Sequence, residues 1–177
     1  MLRSCPYRDL TVETVMASAG LSRTIFYRHF QDMPDLVTEV LRQLGDRVDR
    51  HTIESVRSPD MQPTEEWFRT ILDPVVGFFV EHGPLIRNVA DAAGVDDRLR
   101  EAYESIMRYF TAATAEGIGR LAESGRVDGV GVDALSMALN ALNERYMLRA
   151  FGTQPQEDPK VVTEALVLIW TRTLRIS

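Results

Sequence analysis

Residues 19–30 read AGLSRTIFYRHF. Two arginines, a tyrosine and a histidine are crowded into one short stretch of an acidic chain, whose formal net charge is −6. Guanidinium and phenol groups at this density suit donation to phosphate oxygens, the commonest contact between proteins and nucleic acids. A second constellation lies near the other end. Asn140 and Asn143 stand three apart in an otherwise apolar helix, where side-chain amides need hydrogen-bond partners. Little else in the chain has the make-up of a reactive site. Its histidines are His29, His51 and His82, none with a carboxylate or thiol partner at catalytic spacing. There is no phosphate loop, no HExxH and no Glu-x-x-His pair. Glu144 and Arg145 read as a structural ion pair. An enzyme, a metal site and a resident cofactor are therefore not expected.

The charge is unevenly placed. Arg3, Arg8, Arg23 and Arg28 against Asp9 and Glu13 leave residues 1–31 at +2, so the remainder carries −8. The whole molecule is no general polyanion binder, and contact with nucleic acid must come from this local patch. Cys5 is the sole cysteine, which excludes an internal disulfide and suits a reducing, cytoplasmic setting. No apolar run approaches the ~20 residues of a membrane span, and no secretory signal is apparent.

The patterning is helical throughout, and no strand is expected. Thr11 caps a short helix that Gly20 ends, and Ser22 caps a second running to about Phe30. Two short helices joined by a tight glycine turn make a helix-turn-helix signature, in which the second helix enters the DNA major groove. In that helix Ile25, Phe26 and Phe30 face inward. Ser22, Arg23, Thr24, Tyr27, Arg28 and His29 remain outside, and Thr11 offers a further phosphate contact. On residue types alone these arginines equally fit the solvated face of an amphipathic hairpin. Asp32 caps a third helix, to about Val56, with Pro34 in its first turn and a stripe at Leu36, Val37, Val40, Leu41, Leu44 and Val48. RSPDMQPT is a loop. The next helix opens at Thr64, kinks at Pro74 and ends at His82–Gly83, and Pro84 starts another to about Ala93. A long helix follows over about 98–123, then the loop SGRVDGVG, then helices over about 133–151 and 159–176. The expected fold is all-α, with a helix-turn-helix unit over 1–40 and a ligand-binding, dimerising bundle over 41–177.

The stretch LTVETVMASAGLSRTIFYRHFQDMPDLV closely resembles the N-terminal signature of TetR-family transcriptional repressors, through Thr11, Val12, Ala19, Gly20, Leu21, Ser22, Phe26, Tyr27, His29 and Phe30. The resemblance implies a homodimer that binds a palindromic double-stranded DNA operator and leaves it when a small ligand binds. Two departures stand out. Family members carry a further helix before this hairpin, whereas ten residues precede Thr11 here. That first helix is thus expected to be missing, with Leu2 and Tyr7 as remnants of its end. Many relatives also place a phosphate-holding lysine at the start of the third helix, where this chain has QDMPD. Affinity is then expected to rest more on Arg23 and Arg28.

The last two helices are apolar on more than one face, which demands burial on more than one face. In 133–151, Leu135, Ala138, Leu139, Leu142 and Tyr146 form one stripe. Ser136, Asn140, Asn143, Met147 and Phe151 form a second, and Met137, Ala141 and Leu148 a third. The final helix sets Val162, Leu166 and Ile169 against Val161, Ala165 and Leu168. One subunit covers one face of each. A symmetric partner covering Met137, Ala141, Leu148, Val161, Ala165 and Leu168 accounts for the other.

The surrounding helices supply Trp67, Phe68, Phe78, Phe79, Tyr103, Met107, Phe110, Thr114 and Trp170. By composition this is either ordinary core or the wall of an apolar ligand pocket. NALNERYMLRAF and LIWTRTL resemble the C-terminal part of a mycobacterial TetR-type repressor, in which the equivalent residues line a long hydrophobic tunnel. The resemblance implies that Asn140 and Asn143 anchor a small hydrophobic ligand beside Met147, with Trp170 as an aromatic wall. It extends more loosely to Trp67 or Phe68, Phe110 and Thr114. The rival reading is a helical small-molecule-binding or interaction module that has lost DNA binding.

Overall fold

The computed structural model describes residues 5–58, 63–123 and 131–176, the side chains of 49–51 excepted. Parts of both expected loops, 59–62 and 124–130, lie outside the described residues, as does Leu2. A single 3-10 turn at Tyr7–Asp9 precedes seven α-helices: α1 (Val12–Ser18), α2 (Arg23–His29), α3 (Met33–Arg57), α4 (Glu65–Ala93), α5 (Asp97–Glu123), α6 (Val132–Phe151) and α7 (Pro159–Thr173). No strand occurs among the described residues, and no helix there is long and apolar enough to cross a membrane.

The caps explain where the helices start. The Thr11 hydroxyl accepts from the Thr14 amide at 3.1 Å while Thr14 Oγ1 accepts from the Thr11 amide, a reciprocal capping box. Gly20 sits at φ +67°, a left-handed conformation that favours glycine, and turns the chain between α1 and α2. Asp32 Oδ1 accepts from the Asp35 amide, and Asp158 from that of Lys160. Asp96 Oδ1 accepts from both Arg98 and Leu99 at the start of α5. Ser22 holds the N-cap position of α2, but its hydroxyl makes no capping bond.

One expected break is absent. Residues 65–93 form a single helix through both Pro74 and Pro84. A proline inside a helix leaves the carbonyl four residues earlier without its donor. For Pro84 that carbonyl belongs to Val80, and Gln156 Nε2 donates to it at 3.1 Å and to Phe151 O at the same distance. Gly83 lets the two helices close up. A Cβ there would stand 2.4 Å from Phe151 O, so the glycine serves packing and does not end the helix. Gln156→Ala is therefore expected to destabilise the fold by about 1–2 kcal/mol, the usual cost of orphaning partly buried carbonyls. Chemical denaturation of the variant checks this.

Two cores form. Leu10, Met16 and Phe26 are buried in the small N-terminal unit. The large core spans α3 to α7 and already includes Val37 near the start of α3. Helix α3 runs unbroken through position 40. It packs broadly on α5 and α4, while α1 and α2 pack on each other and join α3 through residues 30–32. Local bonds fix the join: the Gln31 amide donates to Asp35 Oδ2 at 2.9 Å, and Arg98 Nη2 of α5 donates to both oxygens of Asp32 at 2.7 Å. Those Arg98 bonds, more than the Asp35 amide, hold the Asp32 carboxyl below its ordinary range. The preceding segment is pinned to α4, where Asn88 Oδ1 accepts from the Tyr7 amide at 2.8 Å and Asn88 Nδ2 donates to Cys5 O at 2.6 Å.

Candidate DNA-reading face and ligand cavity

Helix α2 divides as its pattern requires. Phe26 is buried, stacked edge-on to Tyr27 and tilted against Phe30 at ring separations of 5.3 and 5.5 Å. Ile25 and Phe30 are half-buried. Ser22, Arg23, Thr24, Tyr27, Arg28 and His29 are all exposed, Tyr27 to 53%. Arg23 and Tyr27 are one turn apart, and the Tyr27 hydroxyl is the first cause raising the guanidinium pKa, with Glu13 a lesser one. Arg28 has no ion-pair partner among the described residues. The face therefore presents two guanidinium groups, a phenol and two short hydroxyls without a paired carboxylate. Thr11 is exposed too, though its hydroxyl is engaged in capping α1.

The five long helices enclose a cavity of about 170 Å³. All eight residues expected to meet a ligand line it: Trp67 and Phe68 from α4, Phe110 and Thr114 from α5, Asn140, Asn143 and Met147 from α6, and Trp170 from α7. Phe78, Phe79, Tyr103 and Met107 join them, and α3 closes one side with Leu41, Leu44, Val48 and Ile53. The amides are partly committed. Asn140 Nδ2 donates at 2.9 Å to both Thr114 Oγ1 and Ser136 O. Trp170 Nε1 donates to Asn143 Oδ1 at 3.0 Å. Among the described residues no bond reaches Asn140 Oδ1 or Asn143 Nδ2, so one acceptor and one donor remain available in an apolar wall.

Glu144 departs from its expected pairing. Its carboxylate faces the cavity and accepts from the Tyr103 hydroxyl at 2.5 Å. No ion pair joins it to the exposed Arg145 among the described residues. Adjacent residues on a helix point about 100° apart and do not face each other. The signal was legible, because Glu144 falls within the stripe of Asn140, Asn143 and Met147.

The outer faces of α6 and α7 are apolar and open. Met137, Val161 and Leu168 are exposed to 63, 58 and 55%, Ala141 is exposed and Ala165 is half-buried. Leu148 is not part of this face; it is 3% exposed and belongs to the core. Position 148 lies near the end of α6, where α4 closes on Phe151 through Gly83, and its side chain joins the common core. The open face stops short of position 148.

Residues 67–175 match the family model described as the C-terminal domain of the transcriptional regulator EthR. The chain is 25% identical over 176 residues to the HTH-type transcriptional regulator EthR of Mycobacterium tuberculosis H37Rv, covering 98% of this chain and 82% of that protein. Among solved structures it is similar to a TetR-family regulator from Rhodococcus sp., with a TM-score of 0.74 and 17% identity over 95% of this chain and 89% of that one. It is also similar to AibR, solved with isovaleryl coenzyme A and operator DNA, with a TM-score of 0.66 and 11% identity over 92% and 88%. A helix-turn-helix followed by an EthR-type helical domain, matched over most of its length, makes this chain a member of the TetR family of transcriptional regulators.

Proposed function

We propose that the protein is a ligand-responsive transcriptional repressor, which binds a palindromic operator as a homodimer and is released by a largely apolar small molecule. The observation that carries this reading is the shared helix α3. Its first residue after the cap lies four positions beyond the end of α2, and Leu41, Leu44, Val48 and Ile53 further along form one wall of the cavity. Residues 1–40 serve as the DNA-binding unit, with Ser22, Arg23, Thr24, Tyr27, Arg28 and His29 reading DNA and Thr11 beside them. Residues 41–177 bind ligand and dimerise, through the outer faces of α6 and α7.

The coupling is mechanical. Two recognition helices in a dimer must sit about one DNA turn apart, ~34 Å, or a multiple of it, to enter successive grooves. A ligand that wedges the bundle tilts α3 and changes that separation. Arg98, at the start of α5, grips the cap of α3 and passes on movements of α5 as well. The ligand shifts the equilibrium only by its preference for the non-binding state, and a typical coupling is about 5–150-fold in affinity. AibR, a neighbour in fold, has been solved with isovaleryl coenzyme A and operator DNA, so this fold accommodates both kinds of partner. Fluorescence anisotropy with the DNA upstream of the protein's own gene tests the reading. Saturable binding at two subunits per site, weakening steeply with salt, is the expected result. Failure to bind any such fragment removes DNA from the function.

A further inference from the structure

Among the described residues Glu144 is the only carboxylate lining the cavity, and no lysine, arginine or histidine lines it. A carboxylate drawn into apolar surroundings needs a charge partner or a full set of hydrogen-bond donors. Glu144 is half-buried and has one donor and no charge partner among the described residues. The Tyr103 hydroxyl donates to Oε1 at 2.5 Å, and among the described residues no donor reaches Oε2. Burial first, and Glu144 second, push the Tyr103 phenol far above its ordinary pKa. It therefore stays protonated and donates to Glu144 Oε1. Asn140 adds an acceptor to the same wall, since its Nδ2 is taken by Thr114 and Ser136 and no bond among the described residues reaches its Oδ1. The rest of the wall is aliphatic and aromatic, with Trp67, Phe68, Phe110 and Trp170 among the rings. Their negative π-faces attract cations and do nothing for anions.

We propose that the cavity selects elongated apolar molecules that end in a protonated amine, with Glu144 as counter-ion to the ammonium group. The proposal rests on the reading of this cavity as a ligand site and adds the charge of its ligand. Tyr103 is a positioning residue: it fixes Oε1 and leaves Oε2 without a donor among the described residues. The aromatic rings accept the hydrocarbon and contribute cation–π attraction near the head group. Neutral alcohols of the same length fill the same space without the ion pair. Fatty carboxylates meet Glu144 as a like charge and are repelled.

The test uses the whole chain and three probes of equal length: n-octylamine, n-octanol and n-octanoate, titrated by calorimetry at neutral pH. The expected order is amine, then alcohol, then carboxylate, with at least about a tenfold gap between amine and alcohol, as for one charge-assisted contact. Glu144→Gln keeps the shape of the side chain and an acceptor for Tyr103. In that variant the ratio of amine to alcohol affinity is expected to fall to near unity. Tyr103→Phe, which frees the carboxylate from its phenol, is expected to keep the amine preference. Equal binding of amine and alcohol by the native chain overturns the proposal, as does a preference that survives in Glu144→Gln. The wider reading fails separately. If none of the three probes binds, the cavity is not a ligand site of this kind. If octanol binds and octylamine does not, only the charge assignment is wrong.

Discussion

Leu168→Asp is expected to give a folded monomer whose operator affinity has dropped by about a hundredfold or more. Leu168 projects from α7 into solvent within one subunit, so the carboxylate is harmless there. In a symmetric dimer built on α6 and α7 it lies against apolar surface. The two-fold axis introduces the same unpaired charge twice. A monomer then reads one half-site and loses the gain from holding two recognition helices on one frame. Ala165→Glu, one turn earlier on the same face, is expected to act alike. Leu148→Asp differs in kind, because Leu148 sits inside the subunit core. That change is expected to unfold the chain, since it buries an unpaired charge whether or not a partner is present. Light scattering separates monomer from dimer, and circular dichroism separates a folded monomer from an unfolded chain. An undisturbed dimer in both α7 variants places the interface elsewhere.

Arg28→Ala and Tyr27→Ala are each expected to weaken operator binding by about tenfold or more, with the dimer and its thermal stability intact. Both side chains are exposed, and neither belongs to the core under α2. Each change appears twice in a dimer, once per half-site, which is why so large an effect is expected from so small a truncation. Arg23→Ala belongs to the same set. The salt dependence distinguishes the roles. Loss of a phosphate contact weakens all sequences alike and flattens the slope of log affinity against log salt by about one per contact. Loss of a base contact relaxes sequence preference and leaves the slope in place. Unchanged binding in all three variants removes α2 as the reading helix.

The sequence carried the elements whose signals are local. Thr11, Gly20, Asp32 and Asp158 mark helix ends by their own chemistry, and each acts as expected. The shared face of Asn140, Asn143 and Met147 was legible from their spacing, but spacing fits core and cavity wall alike, and the family resemblance alone marked that face as a pocket. What depends on distant partners was not legible. The continuity of α4 through Pro84 needs Gln156, 72 residues later, to take the Val80 carbonyl. The burial of Leu148 depends on helices that close on α6 from elsewhere in the chain, and no periodicity within α6 records that. The Arg98–Asp32 and Asn88–Cys5 links join residues far apart in sequence, and neither end is distinctive alone. Glu144 is a different case. Its face was fixed by the helix, and only the habit of pairing adjacent opposite charges concealed it.

The account stands on coupling between cavity and DNA. The direct measurement is operator affinity with and without an occupant of the cavity, using whichever octyl probe calorimetry shows to bind the native chain and not Thr114→Trp, whose indole fills the space. The expected result is a loss of about 5–150-fold in operator affinity at saturating probe. In Thr114→Trp the probe is expected to change nothing. An operator affinity that stays the same within error while calorimetry reports a full cavity contradicts the account, and leaves the cavity as a feature of the core with no part in regulation.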